Sequence, residues 1–233
     1  MRDYISVIEQ QGINGDIIKM MIEDDKHNHE RRLKNYLRYR GEVVPIMNRP
    51  NNTAADNFES PRLRRLDKCV NNILTHPFDR KIINTKMGYL FGLPINYGID
   101  DLETNAQLSE LVERFVIMNN AADKDAELGK KAGISGVGAR LLYIDRQGEE
   151  RMMNINPWEV IVLSENGDLA EPTYSLRYFE RNGINGQENV AIFYDQTYSY
   201  EFVSNSKTNG YKLVPDGQKI HLFDGTPLFF VPN

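Results

Sequence analysis

The sequence predicts an α+β protein, helices first and strands after, on two observations. Up to about residue 135 the apolar residues recur at helical spacing, and from Ala139 onward the period is two. The later strands are not interleaved with helices, so an antiparallel meander is expected rather than a parallel sheet built through crossovers.

The elements follow in order. Asp16 suits the start of a helix carrying Ile17, Ile18, Met21 and Ile22; the pattern resumes at Leu33, Tyr36 and Leu37, and Gly41 suits its end. Between them, Glu23 to Arg32 is polar almost throughout and must face water or a partner. Pro45, Pro50 and two adjacent asparagines mark an exposed loop from Val44 to Asn57. Ser60-Pro61 opens another helix with Leu63, Leu66, Val70 and Ile73 on one face. His76-Pro77 interrupts it and starts a helix bearing Phe78, Ile82, Met87 and Leu90, which Gly92 and Pro94 stop. Thr104 and Gln107 form a capping box before Leu108, Leu111, Val112 and Phe115. The helix from about Asp123 is rich in small residues (Ala126, Gly129, Ala132, Gly133), which let another element approach closely, so packing on a sheet is expected. The charged faces Glu23 to Glu30 and Lys124 to Lys131 read as exposed.

Arg140 to Asp145 reads as a strand and Arg146-Gln147-Gly148 as a turn. Asn166-Gly167 marks a hairpin between Val160–Leu163 and Tyr174–Tyr178. Asn182-Gly183, Asn185-Gly186 and Asn209-Gly210 separate further strands at Val190–Tyr194, Tyr198–Val203, Tyr211–Val214 and Ile220–Phe223. Trp158, beside Pro157, is expected to begin a strand and anchor the core. Cys69, on an amphipathic helix, is expected in the core as well.

Composition excludes several classes. With 233 residues, 40% hydrophobic and 26% charged, the chain has the make-up of a globular protein. No apolar run approaches the roughly 20 residues of a membrane span, and the N-terminus has no signal-peptide pattern. A single cysteine precludes an internal disulfide and fits a reducing compartment such as the cytoplasm. A net charge of −5 argues against bulk attraction to nucleic acid. Two local basic clusters stand out: Arg31, Arg32, Lys34, Arg38 and Arg40, then Arg62, Arg64, Arg65 and Lys68. Either is a candidate contact for a partner or DNA, beside the commoner reading of a solvated face paired with acids.

The enzyme motifs fail on inspection. In Gly133-Ile134-Ser135-Gly136-Val137-Gly138, Val137 stands where a nucleophile elbow needs its second glycine. A dinucleotide fingerprint needs strand then helix; here the order is reversed, and a helix cap with a tight turn is expected. His27 and His29, two apart on a helix, point to different sides, so they cannot bind one metal ion with Asp24, Asp25 or Glu30. No catalytic residue, metal or cofactor is expected.

One phrase is distinctive. Lys81 to Asn84, then Thr85-Lys86-Met87-Gly88-Tyr89-Leu90-Phe91-Gly92-Leu93-Pro94-Ile95-Asn96-Tyr97, resembles a "GYLFG-x-PI-x-Y" phrase of the portal proteins of long-tailed phages. The family's order continues in Asp125 to Leu128 with Ala132 to Gly138, in Leu142 to Asp145 with Gly148, and in Ile155 to Val162. Asn35 to Gly41 resembles its opening, and Pro227 to Asn233 the phrase closing its first half. Here Gly88, Tyr89, Gly92 and Pro94 are read as structural residues, Gly92 as a left-handed helix cap.

The resemblance implies the wing-forming half of a portal subunit, with residues 1–58 as a helical arm and loop and 59–233 as the wing core. The stem, clip and tunnel regions would lie outside this chain. It further implies a dodecameric ring at a capsid vertex of the virion, assembled in the host cytoplasm. The ring would bind the terminase motor, scaffold or capsid and head-completion proteins, and thread double-stranded DNA without sequence specificity. A head–tail adaptor and a nucleic-acid-binding or processing module are the alternatives.

Overall fold

The computed structural model describes residues 3–43, 76–99, 106–183, 186–205 and 210–233. Among them the helices are α1 (Tyr4–Gln11), α2 (Gly15–Arg40), α3 (Phe78–Leu90), α4 (Ala106–Asn119) and α5 (Ala121–Ser135). Eight strands follow: β1 (Val137–Ile144), β2 (Glu150–Ile155), β3 (Val160–Leu163), β4 (Tyr174–Gly183), β5 (Gly186–Tyr194), β6 (Tyr198–Asn205), β7 (Lys212–Ile220) and β8 (Leu228–Pro232). The class is α+β, as the change of period indicates. The Ser60–Ile73 helix, Cys69 and Thr104 lie outside the described residues.

The strands form two sheets where one meander was expected. β3 to β7 pair in chain order; β8 instead leaves that series and pairs with β1, giving the order β2-β1-β8. The reason is in the register. Leu228 and Phe230 are buried opposite Leu141 and Ala139, so the last apolar run completes the core begun by β1. Tyr211–Val214 and Ile220–Phe223 are not separate strands either. Lys212 to Val214 and Ile220 belong to the single strand β7, which is bulged opposite Tyr200/Phe202, with Asp216 at φ 59°, while residues 221–223 lie in the loop after it. Gly217 makes the bulge possible, since a Cβ there would lie 2.8 Å from the Val214 oxygen and 2.9 Å from that of Glu201.

Helix α2 runs unbroken across its polar centre. Its cap is Asn14, whose Oδ1 accepts from the N–H groups of Asp16 and Ile17; Asp16 is the first-turn acid instead. Gly41 ends it at φ 81°. Ile17, Ile18 and Met21, with Tyr4 and Ile8 of α1, pack on Leu176, Phe193 and Phe202 of the five-stranded sheet. Gly136, at φ 86°, caps α5 by donating to Ala132 O.

Candidate functional site

Below the apolar end of α2, the burial stripe continues through charged residues. Ile18, Asp25, Arg32 and Tyr39 are all buried, each seven residues from the last, so they share one face. Of the polar stretch expected to face water or a partner, Glu23, Asp24, Lys26, His27, Glu30 and Arg31 are exposed, whereas Asp25, Asn28, His29 and Arg32 turn toward this chain's own residues 157–160 and β4. Arg32 donates from one terminal nitrogen to the carbonyls of Pro157 and Val160, both at 3.2 Å, and its guanidinium stands 4.9 Å from the Phe230 ring centroid. Asp25 accepts from Asn28 at 2.9 Å and from the Tyr178 hydroxyl at 3.3 Å, with Arg32 4.0 Å away. His29 Nδ1 sits 2.7 Å from Trp158 O and 3.0 Å from the Tyr178 hydroxyl, so this imidazole is engaged in packing α2 on β4.

Burial sets the chemistry of this hub. Desolvation holds the Asp25 carboxyl above its usual range and outweighs the help of Asn28 and Arg32. Desolvation and the neighbouring Asp25 push the Tyr178 phenol strongly upward. Trp158 is not the expected strand-starting anchor: it lies in a single 3-10 turn, Pro157–Glu159, half-buried against Tyr36 at 4.8 Å, while Pro157 is buried.

The second constellation ties the distinctive phrase down. α3 faces α5 with Ile83, Met87 and Phe91; of the expected Phe78, Ile82, Met87 and Leu90, only Met87 is on that face and the other three are exposed. The small residues of α5 serve this helix contact: a Cβ at Gly129 would lie 2.2 Å from Phe91 Cε2, and one at Gly133 3.3 Å from the Met87 methyl. Gly92 has no left-handed φ; α3 is capped by Phe91 at φ −118°. A side chain is excluded at Gly92 because its Cβ would lie 2.5 Å from the carbonyl oxygen of Gly88. Gly88 and Pro94 are exposed, and Tyr89 is 88% exposed. Beyond the turn, Tyr97 donates to Asp125 at 2.5 Å, and Arg140 meets the other oxygen of that carboxylate at 2.7 Å.

The face from Lys124 to Lys131 is likewise not a bare charged surface. Lys124 donates to Met152 O at 2.6 Å and Lys131 to Asn154 O at 3.4 Å, while Asn119 bridges Met152 N–H and Glu150 O. Together they satisfy the open edge of β2.

The first arginine cluster disperses. Arg31 is exposed, Arg32 is buried in the hub, Arg38 pairs with Asp79 at 3.1 Å and Arg40 with Glu42 at 2.7 Å. Arg62, Arg64 and Arg65 lie outside the described residues. No group of His, Cys, Asp and Glu among the described residues is arranged to hold a metal ion. No described helix is long and apolar enough to cross a membrane.

Residues 18–233 match the family described as phage portal protein, SPP1 Gp6-like. The chain belongs to this family. The portal protein of Bacillus phage SPP1 is 26% identical over 167 residues, an alignment that covers 68% of this chain and 31% of that protein. The chain therefore spans less than a third of that relative's length. Phage portal proteins are structural, non-enzymatic virion components. In this member, then, buried ionisable groups are read first as packing devices. The sequence missed two of them, the Asp25–Arg32–Tyr178 hub and the Tyr97–Asp125–Arg140 link. The seven-residue spacing from Ile18 through Tyr39 is the signal that could have found the first; nothing local to Tyr97 announces the second.

Proposed function

We propose that this chain forms the wing of a portal ring, a conduit through which double-stranded DNA is packaged into the capsid and ejected, and to which the tail connects. The family match across residues 18–233 carries the reading. The ring is dodecameric in this proposal. Its partners are further copies of the chain, the terminase motor, scaffold or capsid proteins and head-completion proteins, and it assembles in the host cytoplasm before entering the virion. The net charge of −5, the burial of Arg32 and the pairing of exposed Arg38 and Arg40 with Asp79 and Glu42 support passage of DNA rather than retention, because strong phosphate binding needs clustered, available cations. The same observations weigh against a nucleic-acid-processing module, and the family match weighs against a head–tail adaptor.

The test is infection by phage in which this gene is silenced. Capsid shells should accumulate without DNA, and the supplied gene should restore packaging; filled capsids in its absence would refute the reading. Duplex DNA binding by the chain should be weak, with a shallow dependence on salt. A steep slope would revive the nucleic-acid alternative.

A further inference from the structure

Large apolar side chains are exposed on α4, at Leu108, Leu111 and Ile117, and in two other places. One is the outer stripe of α3, where Phe78 and Ile82 are each 67% exposed, continuing through Tyr89 to Leu93. A helix with apolar residues on two sides is normally covered on both. The other is Leu222, 72% exposed in the loop between β7 and β8. Leu222 has φ 66°, a left-handed conformation that a non-glycine residue keeps only where its surroundings impose it.

Those surroundings are specific. His221 Nδ1 accepts from the Phe223 N–H at 3.3 Å, which leaves Nε2 to donate to Asp195 O at 3.1 Å, and the His221 and Phe223 rings stack. The loop is thus held on both sides of Leu222 and presents it to solvent already ordered. That is the arrangement expected of an anchor that loses little freedom when it enters a partner.

The charges around the two places are opposite. Exposed Lys81 and Lys86 border the α3 stripe. Exposed Glu165, Glu171 and Asp224 line a cleft of about 620 Å³ next to the loop. The two places lie toward opposite ends of β8: Lys86 reaches Asn233 Oδ1 at 2.9 Å beyond its last residue, and the loop precedes its first. A cyclic assembly needs two different surfaces that meet head to tail.

We propose that a second copy of this chain seats its Leu222 on the outer stripe of its neighbour's α3, with its acidic cleft facing the neighbour's Lys81 and Lys86. The inference rests on the ring reading above. In a Cys69→Ser background, Leu222→Cys and Ile82→Cys chains are made separately and oxidised at high concentration, alone and mixed. Only the mixture should give a covalent dimer. Lys81→Glu with Lys86→Glu should lower its yield several-fold, and Glu165→Lys with Glu171→Lys in the other chain should restore it.

Absence of the mixed product, self-linking of Ile82→Cys chains, or indifference to the charge changes would each overturn the proposal. A photo-crosslinking residue at 222 in the otherwise native chain gives a second readout, with adducts expected within residues 78–93 and a lack of them counting against the contact. Electron microscopy of the doubly substituted chain separates the two readings. Closed rings without the 222–82 link defeat this contact alone, whereas linked but open chains defeat the ring.

Discussion

On α2, the stripe through Ile18, Asp25, Arg32 and Tyr39 is buried along its length, whereas α3 contains no buried residue although Phe78, Ile82 and Leu90 stand on it. Both helices rest on other elements of the chain. α2 closes the sheet beneath it and buries charge to do so. α3 uses one face against α5, and none of the described residues covers its second apolar face. Burial of apolar area is the main favourable term in folding, so α2 supports the fold of the single subunit and α3 contributes little to it. In a protein whose family works by assembly, an apolar face left open by folding is surface available to a neighbour.

The largest effect should come from the α2 side. Phe193→Ala removes a ring that is 1% exposed beneath α1 and α2, and should cost about 3–5 kcal/mol in chemical denaturation. A cost below about 1 kcal/mol would show that this sheet face is not the principal core.

Arg32→Met should follow, at about 3 kcal/mol, because it leaves buried Asp25 without its cation and frees the carbonyls of Pro157 and Val160. The same site has a pH signature of known sign. Burial raises the folded-state pKa of Asp25, so its contribution to stability is fully present below its unfolded-state value and is lost as pH rises through the folded-state value. Asp25→Asn should flatten that loss in denaturant titrations across the acidic range. Arg32→Met should steepen it, since the Arg32 charge is one of the influences lowering the Asp25 pKa.

Gly129→Val should cost about 1–3 kcal/mol by displacing Phe91. Hydrogen exchange should then quicken in α3 while α2 keeps its protection; equal loss in both helices would erase the contrast between them. Smallest of all, Ile82→Ser should change the stability of the isolated chain by no more than about 0.5 kcal/mol. A loss as large as that of Gly129→Val would mean that the outer face of α3 is covered within the chain.

Much of the architecture was legible because it depends on neighbours in sequence. Helical spacing announced α2 to α5, Gly41 and Gly136 take the left-handed φ expected of helix ends, and Asn166-Gly167 lies between β3 and β4 with Gly167 at φ 73°. The GYLFG phrase was enough to indicate the family. Residue polarity misled where it was taken for exposure. Asp25 and Arg32 look like surface residues, and only their places seven and fourteen residues after Ile18 mark them as inward-facing.

The rest was settled by residues far apart in the chain. Whether β8 extends the meander or joins β1 depends on which core Leu228 and Phe230 complete, and that core is set by β1 and β2 some 75–90 residues earlier. Whether Ile83 or Ile82 faces inward depends on Gly129 and Gly133 on another helix, because an amphipathic helix with two apolar stripes fits a neighbour by either. Gly92 is the smallest case: its sequence position marks a helix end, but the need for glycine comes from the approach of the Gly88 carbonyl, not from φ. Local spacing thus determined which segments are helix or strand. Only the packing of distant segments decided which faces are buried, because a face is buried only when another part of the chain arrives to cover it.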